Sequence, residues 1–158
     1  IMSVTNPNNN FFASTAQTPN VISGQGATRT LNANESGSLC AFDRAAGIVY
    51  TLPTAPVTGT YYDFVVLTTI TSNAAKVITG AGTELLIGGY TNVDTDTSNA
   101  VASFTANGST HIAVSMNGTT TGAIAGTKLR FTCLSATRWA VEGIVLGSGT
   151  VATAFATS

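Results

Sequence analysis

Apolar and polar side chains alternate with a period of two along much of the chain, the pattern of strands with one wet face. Over 128 to 134, Leu129, Phe131 and Cys133 share one face, while Lys128, Arg130 and Thr132 share the other. Over 111 to 116, Ile112, Val114 and Met116 oppose His111, Ala113 and Ser115. The run Tyr61-Tyr62-Asp63-Phe64-Val65-Val66-Leu67 is apolar on both faces in its middle, as a central strand would be. The pattern predicts strands at 28 to 32, 38 to 43, 47 to 52, 61 to 70, 75 to 79, 84 to 88, 100 to 106, 109 to 117, 126 to 134 and 137 to 146. A 3.6-residue period is absent and Thr and Gly are frequent, so no helix is expected. Asn107-Gly108 and Asn117-Gly118 suit hairpin turns that need positive φ. Ala46-Gly47 and Pro53-Thr54-Ala55-Pro56 also break the chain.

Ten short strands joined by short turns predict an all-β fold: an antiparallel β-sandwich, jelly-roll-like or a barrel-like roll. Three regions are expected. Residues 1–26 lack any strand or helix period and carry Asn6-Pro7-Asn8-Asn9-Asn10 and Pro19-Asn20, so they read as an extended N-terminal arm. Phe11 and Phe12 are an apolar pair inside this polar stretch and would anchor the arm on a neighbouring surface. Residues 27–146 are the β-sandwich domain, and 147–158 a small-residue tail whose one large side chain, Phe155, is expected to fold back onto the domain or onto a neighbour.

Composition sharpens this reading. The 158 residues suit one domain, and hydrophobic residues make up 44%, enough to build a core. Charged residues make up only 8%, against a typical ~25%. Thr, Ser, Asn, Gly and Ala replace them. A surface this neutral offers little electrostatic opposition to self-association, and contacts made through hydroxyl, amide, backbone and apolar groups depend little on salt. The six basic residues are scattered, with Lys128 and Arg130 the only short cluster, so nucleic-acid binding is not expected. No apolar run reaches membrane-span length. Ile1 to Thr5 lacks the basic and apolar regions of a signal peptide, and the opening Ile1-Met2 suggests a start inside a longer product. Cys40 and Cys133 read as two buried thiols rather than a disulfide framework.

The candidate chemistry is sparse. His111 is the lone histidine, on the polar face of an expected strand beside Asn- and Gly-rich turns, and reads as a surface or hydrogen-bonded residue. Its spacing to Cys40, Cys133 and the carboxylates matches no zinc pattern, so no metal is expected. Asn92-Val93-Asp94-Thr95-Asp96-Thr97 resembles half a calcium loop but lacks the glycine and distal glutamate. Gly80-Ala81-Gly82 and Gly147-Ser148-Gly149 lack the lysine and helix of a phosphate loop. No catalytic residue and no cofactor are expected. Tyr61, Tyr90 and Trp139 are the aromatic candidates for a trimer interface or a glycan-facing platform, beside the role of core and interface packing that such side chains more often have.

Several segments carry a family resemblance. They are Leu31-Asn32-Ala33-Asn34-Glu35-Ser36-Gly37-Ser38-Leu39, Phe42-Asp43-Arg44-Ala45-Ala46-Gly47, Tyr50-Thr51-Leu52-Pro53 and Gly59-Thr60-Tyr61-Tyr62-Asp63-Phe64, followed by Gly126-Thr127, Trp139-Ala140-Val141-Glu142-Gly143 and a Gly-Ser-Gly tail. Across about residues 28 to 150 the pattern resembles virion proteins of tailed bacteriophages, in particular head decoration (cement) proteins. That resemblance implies a homotrimer on the outer surface of the capsid, assembled in the host cytoplasm, which binds the major capsid protein and stabilises the shell. The arm, with Asn8, Phe11 and Phe12, would then reach onto the shell or an adjacent copy. Related segments occur in tail fibres and spikes, so the alternative is a receptor- or glycan-binding module. A carbohydrate-active enzyme would require two of the seven carboxylates to meet across a cleft.

Overall fold

Alternation along each strand resolves into two mixed sheets that face each other across one core. A computed structural model of the chain describes residues 19–98 and 100–158. The larger sheet has the order β1 (Val21–Ile22), β3 (Leu39–Phe42), β5 (Tyr61–Val66), β10 (Lys128–Ser135), β11 (Arg138–Gly147), β7 (Leu85–Asp94) and β8 (Val101–Thr105). The smaller has the order β12 (Phe155–Ala156), β9 (Ala113–Met116), β6 (Ala75–Ile78), β4 (Val49–Thr51) and β2 (Thr28–Thr30). One 3-10 turn, Ala33–Glu35, is the only helical element among the described residues.

The all-β expectation holds, and the antiparallel one is corrected. From β1 to β6 the chain crosses from one sheet to the other with every strand, so each new strand lies parallel to the one before last. Val21 pairs with Leu39 and Leu39 with Asp63 in the larger sheet, while Thr28 pairs with Val49 and Val49 with Lys76 in the smaller. β7 and β11 are also parallel, from Arg138 opposite Leu85 to Gly147 opposite Asp94. The antiparallel pairs are β10 with β5 and β11, β7 with β8, and β9 with β6 and β12. Side-chain alternation is the same in both kinds of ladder, so the sequence pattern could not separate them.

The Asn-Gly pairs do not close hairpins. They carry the chain from β8 to β9 and from β9 to β10, in each case between sheets. Asn107 Oδ1 accepts from the backbone N–H groups of Ser109, Thr110 and His111 at 3.0, 2.9 and 3.2 Å. Asn117 Oδ1 accepts from those of Thr119 and Thr121 at 2.9 and 3.1 Å. Each asparagine replaces a missing ladder by bonding a loop that must arch across the core. Gly118 fits its arch for a steric reason: φ is +84°, and a Cβ there would sit 1.8 Å from the Ile70 carbonyl oxygen.

Two other boundaries move. Val21 and Ile22 form a strand inside the segment expected to be arm, and Ile22 is buried. Phe155, expected in a tail, is buried, and its strand pairs with β9.

The core is aromatic where the sheets meet. Tyr50 of the smaller sheet packs edge-on against Phe42 and Phe64 of the larger, with centroids 5.1 and 5.4 Å away, and Phe64 continues edge-on to Phe131 at 5.4 Å. Most buried polar groups are paired; among the described residues Asn92 Oδ1 and Arg29 Nε are the buried side-chain atoms without a partner. Tyr50 donates to the Ala41 carbonyl at 2.8 Å and Tyr62 to the Asn32 carbonyl at 2.6 Å. Burial pushes the Tyr62 phenol up to about 12. Glu84, 2% exposed, accepts from the Trp139 indole Nε1 at 3.2 Å and from the Ala55 backbone N–H. Cys40 and Cys133 are buried free thiols, and burial pushes Cys40 up to about 12.

Trp139→Phe removes a donor from a buried carboxylate, and urea unfolding should show a loss of about 1–3 kcal/mol. With the thiolate disfavoured and both sulfurs buried, neither cysteine should react with a thiol reagent in the native protein at neutral pH, and both should react at once in denaturant. Rapid native labelling would contradict the burial of Cys40 and Cys133.

Candidate functional site

The inward faces of the strands build the core, and a shallow depression lies on an outer face. On the outer face of the larger sheet, register sets Asp63, Arg130 and Glu142 in one row across β5, β10 and β11. Two positions along β10, Lys128 lies between Val65 and Ile144. In a chain with six basic and seven acidic residues, two of each therefore meet on one patch of one sheet.

The patch is ordered at its centre. Arg130 makes a bidentate pair with Asp63, Nε to Oδ1 and Nη2 to Oδ2, both 2.7 Å. The same guanidinium lies over the Tyr61 ring, 4.7 Å from its centroid. The hydrogen bond to Asp63 is the main cause that raises the Arg130 pKa. Lys128 and Glu142 flank this pair. Among the described residues the ion pairs are Arg29–Glu35 and Arg130–Asp63, leaving Lys128 and Glu142 without a partner.

Between the charges runs a shallow trough of about 480 Å³, lined by Asp63, Gly126, Lys128, Glu142, Gly143 and Ile144 among others. Gly143 forms part of its floor. A Cβ there would lie 2.2 Å from the Lys128 carbonyl oxygen, so the strands approach closely only because the side chain is missing. A second depression, reaching Gly89, Thr91, Ser103 and Thr105, also touches Gly143 and extends the trough toward β8.

Apolar groups gather on the same face. Val21, Leu67, Val101, Leu134, Ile144 and Val57 are the large apolar side chains exposed among the described residues. The first five sit on the outer face of the larger sheet or directly at the end of one of its strands, while Val57 is in the β4–β5 connection.

The aromatic candidates separate. Tyr61 lies on this outer face and is half-buried beneath Arg130. Tyr90 and Trp139 face the core, and their expected role at a trimer or glycan surface is corrected. Trp139 is fully buried at the register of Cys133 and Leu86, with Tyr62 at 6.4 Å. Tyr90 is held between Phe104 and Phe155 at 6.0 and 5.1 Å, and its hydroxyl accepts from the Ala154 N–H at 2.5 Å. Asn8, Phe11 and Phe12 lie outside the described residues.

The remaining polar candidates serve loops. His111 stacks on Phe155 at 5.4 Å, and its Nδ1 accepts from the Asn107 N–H at 3.1 Å. Asp94 and Asp96 accept from the Asp96 and Ser98 N–H groups at 3.1 and 2.8 Å, and Asp96 also accepts from Gly149 at 3.1 Å. Those hydrogen bonds hold the Asp96 pKa below the usual carboxylate value. Among the described residues no group of three or more His, Cys, Asp or Glu could hold a metal ion.

Reading the sequence by motif missed the central patch. Its signal was visible: Lys128 and Arg130 are the one short basic cluster, on the wet face of an alternating strand. Their acidic complements lie far away in sequence, and only sheet register brings them together. Comparison with family models, with curated proteins and with solved structures finds no match for the chain.

Proposed function

We propose that this chain is a structural protein of a tailed-bacteriophage particle: a head decoration protein that binds the major capsid protein on the outside of the shell as a trimer and stabilises it. The supporting observation is the outer face of the larger sheet, which carries, from edge to edge, five of the six large apolar side chains exposed among the described residues, with Ile144 beside a small neutral group of charges. Apolar surface concentrated on one side of a domain marks a surface built to be covered. The residue resemblance supplies the kind of assembly. The low charge suits it too, because apolar and hydroxyl contacts persist across changes in ionic strength.

The role is adhesion rather than turnover. Glu84, Asp94 and Asp63 are each engaged by a structural partner, and Glu142, on the same trough as Asp63, is read as a contact residue. The alternative, a receptor- or glycan-binding module of a tail fibre, draws on the trough and Tyr61. Burial of Tyr90 and Trp139 leaves that platform a single ring.

The test is particle stability. Purified particles with and without the protein should release DNA at different temperatures, the decorated ones at the higher. Equal release at equal temperature rejects the cementing role, and strong glycan-array binding together with localisation to the tail would establish the alternative.

A further inference from the structure

We propose that the free edge of β8 (Val101–Thr105) receives an extended segment of the shell protein, which joins the larger sheet as an added strand. The inference rests on the adhesive reading and names the contact that holds the partner.

Strand parity exposes the edge. β8 ends the larger sheet, with β7 on its one paired side. The Asp94 N–H donates to the Ala100 carbonyl and the Ala106 N–H to that of Gly88, at 2.8 and 2.9 Å. Hydrogen-bonded positions alternate along an antiparallel pair, so Ala102 and Phe104 also turn their backbone groups toward β7. Val101, Ser103 and Thr105 turn theirs outward, and no backbone group meets them among the described residues.

This edge alone is unguarded. Proteins blunt their sheet edges with short strands, charge, proline or a bulge. β1 and β12 have two residues each, and β2 has three with Arg29 at its centre. β8 has five, pairs with β7 without a register shift, and carries neither charge nor proline. From Thr97 to Thr127 the chain has no Asp, Glu, Lys or Arg.

The edge also specifies its occupant. Outward N–H and C=O groups that recur at every second residue, about 6.8 Å apart, match the period of another extended backbone. On the inner side, Phe104 and Ala106 pack against the core but stay partly exposed. An added strand covers them with its own inward side chains, which are therefore apolar. The partner segment is extended, as long as the five residues of β8, and uncharged where it faces inward. A second copy does not supply it. Pairing β8 with another β8 needs a two-fold axis, which a ring of three lacks. The other edges, of two or three residues, are too short to match.

The experiment uses the full chain and purified particles that lack it. Ser103→Pro removes an outward N–H and spares the ladder to β7, so the free protein should keep its urea unfolding curve nearly unchanged. Its co-sedimentation with particles should weaken about tenfold or more, because a hydrogen bond is lost and the ring obstructs the added backbone. Ser103→Ala, which removes only the hydroxyl beside Thr91, should bind as wild type does. Hydrogen exchange on the wild-type chain is the second readout and stands even if Ser103→Pro misfolds. The amides of Val101, Ser103 and Thr105 should exchange fast in the free protein and slowly on particles. Bound protein that gains no protection there rejects strand addition and leaves the adhesive function standing. A folded Ser103→Pro protein that binds as tightly as wild type does the same. Protection already present in the free chain means that its own residues or another copy hold the edge, which also rejects the proposal. Particles that bind no protein at all overturn the adhesive reading, and this inference falls with it.

Discussion

Tyr50 is the contact on which the two-sheet arrangement depends. It belongs to β4 in the smaller sheet, and its ring meets Phe42 and Phe64 of the larger one edge-on. Its hydroxyl donates to the carbonyl of Ala41 on β3, so one side chain fixes both the separation and the relative placement of the sheets. That matters because the chain changes sheet with every strand from β1 to β6. No local hairpin holds those strands, and each must find a parallel neighbour about one circuit of the sandwich away. Loop closure of that length is an entropic cost that only burial can offset. The aromatic seam through Phe64 to Phe131 extends the same contact to the antiparallel part of the larger sheet.

A core so fully apolar and aromatic dictates where charge can go. The inward positions accept a carboxylate only where donors meet it, as Trp139 Nε1 and the Ala55 N–H do at Glu84. Arg29 reaches inward at the edge strand β2 and is paired with Glu35. The central outer face of the larger sheet can hold charges without such help, and it holds four. This concentration follows from strand parity, since Lys128 and Arg130 alternate with Leu129 and Phe131, which the core requires.

The strands were legible in the sequence because alternation is a local property. The run from Lys128 to Cys133 declares its wet and dry faces without reference to its neighbours. Pairing was not legible, because Val21 beside Leu39 and Leu85 beside Arg138 are facts about the whole chain. The strand expected at 84 to 88 stops at the glycine pair Gly88-Gly89, yet β7 runs on to Asp94. A Cβ on Gly88 would sit 2.5 Å from the Val141 carbonyl oxygen, and one on Gly89 2.3 Å from that of Phe104. The glycines are there for close approach of flanking strands, not for a turn. Large aromatics serve both interfaces and cores, so Trp139 and Tyr90 are ambiguous in the sequence; register with Cys133 places Trp139 inside, and ring contact with Phe155 does the same for Tyr90.

Scarcity of charge also shapes what an outer face can recognise. Apolar contact through Ile144, Leu134 and Val101 supplies adhesion but little direction, since it tolerates sliding and rotation. A few charges at fixed places supply direction without much energy, because misplacing them costs more than placing them gains. The bidentate Arg130–Asp63 pair keeps the centre of the face rigid, so the flanking Lys128 and Glu142 are presented at a set spacing rather than on a deformable surface. If the same charges were spread evenly over the protein they would raise solubility and specify nothing. Gathered beside a trough on the one face rich in exposed apolar groups, they can fix the orientation of whatever covers it.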